Sequence, residues 1–372
     1  MLVQAVRFFT FVIMSSKSKS LFQLSVQKFK KNKLGLVCFW FVILCGFVAV
    51  FGYLIAPDNS SNANQMHLEI HSKKPGFSVL MLTIPSEEKV DQSFLDKVFS
   101  GKKNLDTEIP IKSFQVEGSQ LEYISYTDGL TKTIPLSSIQ NIPEEFIQQR
   151  TFYFGTDKYG RDLLSRLIIG TRISFFIGFI AVFISLLIGI TMGAIAGYFG
   201  GKIDAFIMWI INITWSIPTL LLVIAITLAL GKGYWQVFIA VGLTMWVEVA
   251  RVVRGQVMAT KQEQYVEAAK VLGFSDLRII FRHILPNIMA PVIVISAANF
   301  AAAILIESGL SFLGIGAQPP TPSWGAIIKN HYNYIILGKP YLAVIPGLAI
   351  MFLVMAFMLI GNTLRDTLDV KS

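Results

Sequence analysis

The chain has 372 residues, of which 53% are hydrophobic and only 15% are charged, with a mean hydropathy of +0.60. Because an ordinary soluble domain carries about 25% charged residues, this composition excludes a disordered tail, a coiled coil and a nucleic-acid-binding protein, and it predicts an integral membrane protein. The formal net charge of +9 is then typical of basic cytoplasmic loops and requires no nucleic-acid partner.

The amino-terminal segment, residues 1–33, is predicted to be cytoplasmic. Its first 13 residues are apolar but too short to span a bilayer, and no convincing signal-peptide cleavage site follows them. A basic stretch begins at Met14. We therefore expect translation to start at Met14, the alternative being a short interfacial helix at the start of the chain.

Six apolar stretches predict transmembrane helices, each of which needs about 20 mainly apolar residues. Their approximate bounds are 34–56, 173–197, 205–230, 235–250, 284–307 and 341–361. We therefore predict an all-α integral membrane fold with six transmembrane helices. Cys38 and Cys45 both lie in the first stretch, where we expect plain apolar residues and no disulfide.

The distribution of Lys and Arg predicts the orientation. The short flanks on one side of the six stretches hold 15 of these residues, and those on the other side hold seven. The positive-inside rule then places both termini in the cytoplasm. A cluster on the predicted outer side departs from the rule: Lys158, Arg161, Arg166 and Arg172. An amphipathic helix lying on the outer interface before the second span would explain it.

Residues 57–150 differ in composition from the rest of the chain. Their net charge is −4, which leaves +13 for the remainder. Apolar and polar residues alternate over 113–136, with a turn signal at Thr127-Asp128-Gly129, as in β-strands. We predict a partly β, extracytoplasmic insertion between the first two transmembrane helices. It is either a spacer or lid without chemistry, or a docking surface for an external partner.

Motifs of catalysis and nucleotide binding are absent from the sequence. No Gly-Lys pair has the upstream glycine or the following Ser or Thr of a P-loop, and there is no G-x-S-x-G elbow. His67 and His71 flank Glu69, but the glutamate is misplaced for a zinc-protease helix. We therefore predict no catalytic residue and no metal site, so the energy for any transport must come from another chain.

Polar residues within the predicted spans are candidates for a translocation path, because such residues are costly in a membrane. The candidates are Asn212, Ser216, Ser296 and Asn299, which could instead bond to neighbouring helices. The only charged residues there, Glu248 and Glu307, lie near predicted helix ends. No chain of Asp, Glu and His is present, which argues against a proton-driven carrier.

The longest predicted cytoplasmic loop, 251–283, is the strongest candidate for function. Its middle favours a short helix that stops at Gly273, and Ser275 can cap a second helix leading to the next span. Ala268 and Ala269 would present small side chains on one face, where a partner backbone could approach closely. The alternative is a solvated interhelical loop.

The pattern of this loop resembles that of a known family. Glu267-Ala268-Ala269, three residues, Gly273, nine residues and then His283-Ile284-Leu285-Pro286 is similar to the EAA loop of ABC importer permeases. His283 stands where the broad pattern has Ile, as in the peptide-transporter branch. Three further stretches, 154–178, 310–328 and 361–369, resemble the same branch: the C-type permease of dipeptide, oligopeptide and nickel importers.

The resemblance implies an ABC permease core at 151–372, with five transmembrane helices and the loop at 251–283 as its contact with a separate ATPase subunit. It implies that the coupling residues are Glu267, Ala268, Ala269, Gly273, Leu285 and Pro286. An outer collar motif is implied at Gly155, Thr156, Asp157, Gly160, Arg161, Asp162 and Arg172. The collar is either purely structural or also a contact for the substrate or its binding protein. Residues 309–340, with Trp324 suited to the membrane interface, form either an outer loop dipping toward the pore or a simple connector.

The implied function is ATP-driven import of peptides, with nickel chelates as the next candidate, across a bacterial inner membrane. The implied partners are a homologous B-type permease, two ABC ATPase subunits that bind ATP and Mg, an extracytoplasmic substrate-binding protein and the lipid membrane, with no nucleic acid. The chain itself would bind no cofactor and hydrolyse nothing. The alternatives are a proton-coupled secondary transporter and a membrane-anchored sensor or enzyme acting through residues 57–150.

Overall fold

A computed structural model of the chain describes residues 21–86, 91–103, 105–136 and 146–368. Met14 and Asp369, which entered the predictions above, lie outside these ranges. The described part is mostly helical, with one small β-sheet between two long helices.

The described residues contain eleven helices besides the short 3₁₀ helices Ser61–Ala63, Leu68–Ile70 and Tyr332–Ile335, and the longest of the eleven form the membrane part. Their bounds are α1 Leu21–Lys31, α2 Lys33–Ile55, α3 Phe94–Ser100, α4 Leu163–Phe199, α5 Gly201–Ser216, α6 Thr219–Leu230, α7 Tyr234–Thr260, α8 Gln264–Val271, α9 Asp276–Leu313, α10 Trp324–His331 and α11 Tyr341–Leu368. Five of these, α2, α4, α7, α9 and α11, are long and apolar enough to cross a membrane. The pair α5 and α6 could form a sixth span, in agreement with the predicted number.

The third predicted span is broken in its middle. Helices α5 and α6 meet at an angle of 92°, and Pro218 stands between them. A proline disfavours helical geometry in the residue before it, and Ile217 is accordingly extended. The prediction of one continuous helix over 205–230 is therefore wrong.

Helices α4, α7, α9 and α11 are longer than predicted, and the extensions of α4 and α7 change the interpretation. Helix α4 runs for 37 residues without interruption, so the separate interfacial helix expected before the second span does not exist. Helix α7 continues to Thr260, so the first ten residues of the predicted loop 251–283 are helical. Arg254, which lies beyond the predicted end of the fourth span, has a partner in the fold: it forms two bonds with Asp204, of 2.5 and 2.6 Å, at the start of α5.

The sheet has five antiparallel strands in the order β4-β3-β2-β1-β5. The strands are β1 Phe77–Ile84, β2 Thr107–Glu117, β3 Gln120–Ser125, β4 Thr131–Pro135 and β5 Ile147–Phe152. The alternating pattern over 113–136 corresponds to β2, β3 and β4. The predicted turn joins β3 to β4, and the backbone N–H of Leu130 donates to the Asp128 carboxylate (3.2 Å).

Helices α4 and α7 approach each other closely along a line of glycines. Gly189, Gly193 and Gly197 lie one turn apart on α4. A Cβ on Gly193 would lie 2.5 Å from the carbonyl oxygen of Ala250, and one on Gly197 would lie 2.7 Å from that of Arg254. Small residues at a spacing of four allow such backbone contact between membrane helices.

Candidate functional site

The predicted coupling segment forms a helix, a glycine turn and a second helix. Helix α8 ends at Val271, and the turn after it passes through Gly273, whose φ of +77° lies in the left-handed region that glycine adopts without strain. The N–H of Phe274 donates back to the carbonyl of Ala269 (3.1 Å) across this turn. Ser275 precedes the second helix as predicted, but its side chain makes no capping hydrogen bond.

One face of α8 is fixed to the membrane helices. Val266 and Ala269 are buried in an apolar cluster contributed by α4, α7, α8 and α9. Tyr198, at the end of α4, connects these elements: its hydroxyl donates to the Asp276 carboxylate (2.7 Å), and its carbonyl accepts from the Lys261 ammonium (2.5 Å). The segment is therefore an ordered extension of the transmembrane bundle and not a solvated loop.

The opposite face of α8 is exposed. Glu267 and Ala268 lie on it, so the prediction that both alanines share one face is wrong, because successive helical residues point about 100° apart. Large apolar side chains follow, and Val271 is 88% exposed. We name this the coupling surface; it comprises Glu267, Ala268, Val271, Leu272, Leu277 and Phe281. Glu267 forms no ion pair with any residue that the structure describes.

Leu285 and Pro286 lie within α9 and not in a loop. The helix changes there from a π segment, Ile280–Ile284, to a 3₁₀ segment, Leu285–Ile288. The side-chain amide of Asn287 donates to the Tyr265 hydroxyl (2.9 Å), which joins α8 to α9. Interruptions of this kind are frequent at functional sites.

The polar side chains Thr156, Asp157, Arg161 and Asp162 of the outer collar motif are buried inside the protein. Asp157 is fully buried and binds Arg161 through Nε (2.7 Å) and Nη2 (2.6 Å), while Arg166 lies 3.8 Å away. The Thr156 hydroxyl donates to the Ile70 carbonyl (2.5 Å). These contacts hold residues 58–76 against the start of α4.

The remaining collar residues serve the same packing. Gly155 and Gly160 have φ values of +77° and +74°, and a Cβ at either would overlap a backbone carbonyl of residues 67–74. Asp162 caps α4 by accepting from the N–H of Ser165 (2.9 Å), and burial raises the pKa of its carboxyl. Arg172 donates to the Val98 carbonyl (3.2 Å). These contacts fit the structural role predicted for the collar, whereas a contact with the substrate or its binding protein stays a prediction.

Replacing Asp157 by asparagine is expected to lower the stability of the protein. It removes the carboxylate that faces the charged guanidinium groups of Arg161 and Arg166, and both of these groups are buried. Removing one partner of a buried ion pair costs about 3–5 kcal/mol. We expect the melting temperature in detergent to fall by several degrees. The matched control is Asp128→Asn, which removes an exposed carboxylate 3.6 Å from Lys132 and should leave the melting temperature unchanged. Equal melting temperatures for the two variants would contradict this prediction.

Residues 309–340 fold back onto α4. Trp324, expected at the membrane interface, is instead buried, and its indole N–H donates to the Leu167 carbonyl (3.0 Å). His331 ends α10; its Nδ1 lies 2.7 Å from the Ile327 carbonyl, and its Nε2 accepts from the N–H of Lys158 (3.4 Å). This pattern requires a neutral ring, with the proton assigned to Nδ1 from its partner.

The stability of the protein should therefore fall in mild acid. Burial lowers the pKa of His331, although the Ile327 carbonyl and the charge of Asp157 oppose this, and Lys158 and Arg161 reinforce it. The unfolded chain takes up a proton on this ring below a pH of about 6.5, whereas the folded chain resists, so the stabilisation present at higher pH is lost as the pH falls through that value. Melting temperatures at pH 7.5 and 5.5 should differ more for the wild type than for His331→Gln; equal differences would refute this role.

The four predicted path residues form two separate pairs. Asn212 and Ser216 are exposed on α5, and Asn212 accepts from Arg251 (2.7 Å). Ser296 and Asn299 lie on α9, where Asn299 is buried. Within the described ranges no hydrogen bond joins the two pairs.

The sequence-based search for a path missed a cavity. A space of about 230 Å³ lies between the broken span, α7 and α9, and it is lined by Glu248. Glu248 was expected near a helix end, but it lies at the centre of α7. Glu307 is likewise within α9, fully buried and bonded to Ser311 (2.6 Å), because α9 continues to Leu313.

Comparison with known proteins places these features in a family. Residues 189–371 match the model of the binding-protein-dependent transport system inner membrane component, and residues 20–75 match that of the N-terminal transmembrane domain of oligopeptide transport permease C. A glutathione transport system permease protein of Shigella sonnei and a dipeptide transport system permease protein of Alkalihalophilus pseudofirmus are each 42% identical over 219 residues, 59% of this chain and 72% of the relative. The chain belongs to the binding-protein-dependent transport system inner membrane component family.

Two further proteins are similar to this chain. The glutathione transport system permease protein of Pectobacterium atrosepticum is 40% identical over the same share of both chains. A solved inward-facing MetNI methionine ABC transporter is similar over 54% of this permease and 95% of its own chain, at 17% identity and a TM-score of 0.46.

This permease is the non-catalytic membrane component of an ABC importer and a multi-pass inner-membrane protein. An importer of this kind works with an ATPase, which holds the ATP and Mg, and with a substrate-binding protein. The resemblance stated from the sequence is thereby confirmed. The assignment sets aside the proton-coupled carrier and the membrane-anchored enzyme as alternatives.

Proposed function

We propose that this permease is the C-type subunit of a peptide importer and that its coupling surface binds an ATPase subunit. One observation carries the proposal: buried Val266 and Ala269 fix one face of α8 to the membrane helices, and its opposite face is exposed. A set of exposed apolar side chains beside Glu267 is typical of a protein interface. Glu267, Ala268 and Gly273 would make the contact, with Leu285 and Pro286 behind them.

The proposed orientation follows from the two ends of α4. The collar and the sheet adjoin its first turn, and α8 contacts its last turn at Tyr198. A helix of 37 residues is about 55 Å long, which exceeds the hydrocarbon thickness of about 30 Å. The sheet and the coupling surface would then lie on opposite sides of the membrane, with the termini and α8 in the cytoplasm and the insertion 57–150 outside.

The proposed domain division agrees with the matched segments. Residues 76–188 lie between the two family models, and they include the whole sheet. We take 57–150 as an insertion between a first membrane helix and a permease core at 151–372. It would act as a spacer or as a docking surface for the substrate-binding protein.

The proposed substrate is a peptide, because the relatives are named for glutathione and dipeptide transport. A second, B-type permease would complete the pore, and two ATPase subunits would bind below in a bacterial inner membrane. Movement of the ATPases would displace α8. Tyr198 would pass that displacement to α4 and α9, because its hydroxyl bonds to Asp276 and its ring packs in the buried cluster.

Purification of the complex from its native membrane tests the proposal. We expect mass spectrometry of the detergent-solubilised complex to identify a homologous permease and P-loop ATPases in equal total amounts, with a binding protein as an outer component. Recovery of this chain as a homo-oligomer without an ATPase would overturn it.

A further inference from the structure

Glu248 is a charged group inside a membrane helix without a partner. It lies 14 residues after the start of α7 and 12 before its end. It makes no hydrogen bond or ion pair with any residue that the structure describes. A carboxylate at the centre of a membrane helix costs about 2.5–3.5 kcal/mol on insertion scales, so its position requires water, another subunit or a ligand.

The cavity that Glu248 lines is a partly open space bounded by three membrane elements, and the Glu248 side chain is exposed in this chain. Its volume is about 230 Å³, whereas a water molecule occupies about 30 Å³ in the liquid, so it has room for the end of a small molecule. Glu248 is the one charged residue among those lining it, and the others are Thr214, Trp215, Thr219, Leu222, Thr244, Met245, Val247, Ala302 and Ile306.

Two of the lining hydroxyls can only accept hydrogen bonds from a ligand. The Thr214 hydroxyl donates to the Ile210 carbonyl (3.0 Å), and the Thr244 hydroxyl donates to the Val241 carbonyl (2.9 Å). Each has thereby used its single proton and retains free lone pairs. Together with the carboxylate they offer acceptors and a negative charge. An ammonium group, with three donors and no acceptor, is complementary to this set.

The nearest cation on α7 does not neutralise Glu248. Arg251 follows three residues later, on the same helix face. Its guanidinium instead donates to Asn212 (2.7 Å) and stacks over Trp215 at 3.3 Å from the ring centroid. The elbow of the broken span therefore holds the arginine away from the carboxylate, which leaves the negative charge available.

We infer that Glu248, assisted by Thr214 and Thr244, binds the protonated amino terminus of a peptide as it passes through the permease. The inference rests on the proposed function, because every unblocked peptide carries such an ammonium group. It adds a substrate-recognition residue to a path for which only uncharged side chains were predicted.

Uptake by the complete importer in proteoliposomes tests this inference, with radiolabelled dialanine and N-acetyl-dialanine as probes. We expect Glu248→Gln to lower kcat/KM for dialanine at least tenfold and Glu248→Asp to lower it less than threefold. For N-acetyl-dialanine the wild type and Glu248→Gln should be equal, since no ammonium is present. Every variant is assayed with the same binding protein. The preference of that binding protein for one probe therefore cancels when the kcat/KM of a variant is divided by that of the wild type for the same probe.

The controls separate the possible failures. Asp366→Asn removes an exposed carboxylate near the end of α11 and should transport as the wild type does. Wild-type kinetics in Glu248→Gln would overturn the inference alone. Loss of another subunit from the purified Glu248→Gln complex would also overturn it, because Glu248 would then be an assembly contact. A wild-type complex that imports neither dialanine nor glutathione with ATP would refute the proposed function itself.

Discussion

Glu267→Arg is expected to abolish ATP-driven uptake while the permease remains folded in the membrane. The Glu267 side chain is exposed and has no ion pair among the described residues, so reversing its charge removes nothing within this chain. Breaking a charged contact in an interface costs about 2–5 kcal/mol, which weakens binding about 30-fold or more. Co-purification of the ATPase and uptake in proteoliposomes measure the effect.

Gly273→Pro should have the same consequence by another route. Proline holds φ near −65°, whereas Gly273 has a φ of +77°, so the turn that ends α8 must change. Gly273→Ala provides the graded control, because alanine reaches the left-handed region at a cost of about 1–2 kcal/mol and should retain partial uptake. Normal uptake by Glu267→Arg or by Gly273→Pro would sink the assignment of the coupling surface.

Gly193→Leu is expected to prevent recovery of folded permease. A Cβ there would lie 2.5 Å from the carbonyl oxygen of Ala250 and 2.8 Å from Cβ of Val253, distances that force α4 and α7 apart. The smaller change, Gly193→Ala, should lower the unfolding free energy by about 1–3 kcal/mol, as overpacking does. Thermal unfolding in detergent, followed by size-exclusion chromatography, distinguishes these outcomes.

Gly255→Ala is the matched control on α7. A Cβ at Gly255 would meet no atom within 4 Å, and alanine is the better helix former by about 1 kcal/mol. Its melting temperature should equal or exceed that of the wild type. A similar loss of stability in Gly255→Ala and Gly193→Ala would show that helix propensity, and not contact between α4 and α7, controls the result.

The glycines of α4 that contact α7 lie next to the apolar cluster that holds α8 and its coupling surface. Gly197 approaches Arg254, and the next residue, Tyr198, packs in the cluster that holds α8. In the proposed function, a displacement of α8 would therefore meet a closely packed pair of helices, and close packing would transmit the motion.

Much of this protein follows from its sequence alone, because the relevant signals are local. Composition and apolar length identify a membrane protein with five or six candidate spans, and alternation over 113–136 identifies the strands β2 to β4. The stop of α8 at Gly273 follows from the conformation that only glycine adopts readily. The spacing from Glu267 to Pro286 identifies the family, although no local signal tests which residues touch a partner.

The tertiary structure decided what depends on residues distant in the chain. Arg166 and Arg254 lie outside the predicted spans 173–197 and 235–250, but Asn62 and Asp204 supply partners for them, and both arginines lie within the longer helices α4 and α7. Ala269 is buried and Ala268 is exposed, because one side of α8 packs against Val257 and Ile279. Likewise, only the meeting of the broken span with α7 and α9 forms the cavity that Glu248 lines. In each case the free energy of a charge or a small side chain is set by what packs against it, and periodicity along the chain does not contain that information.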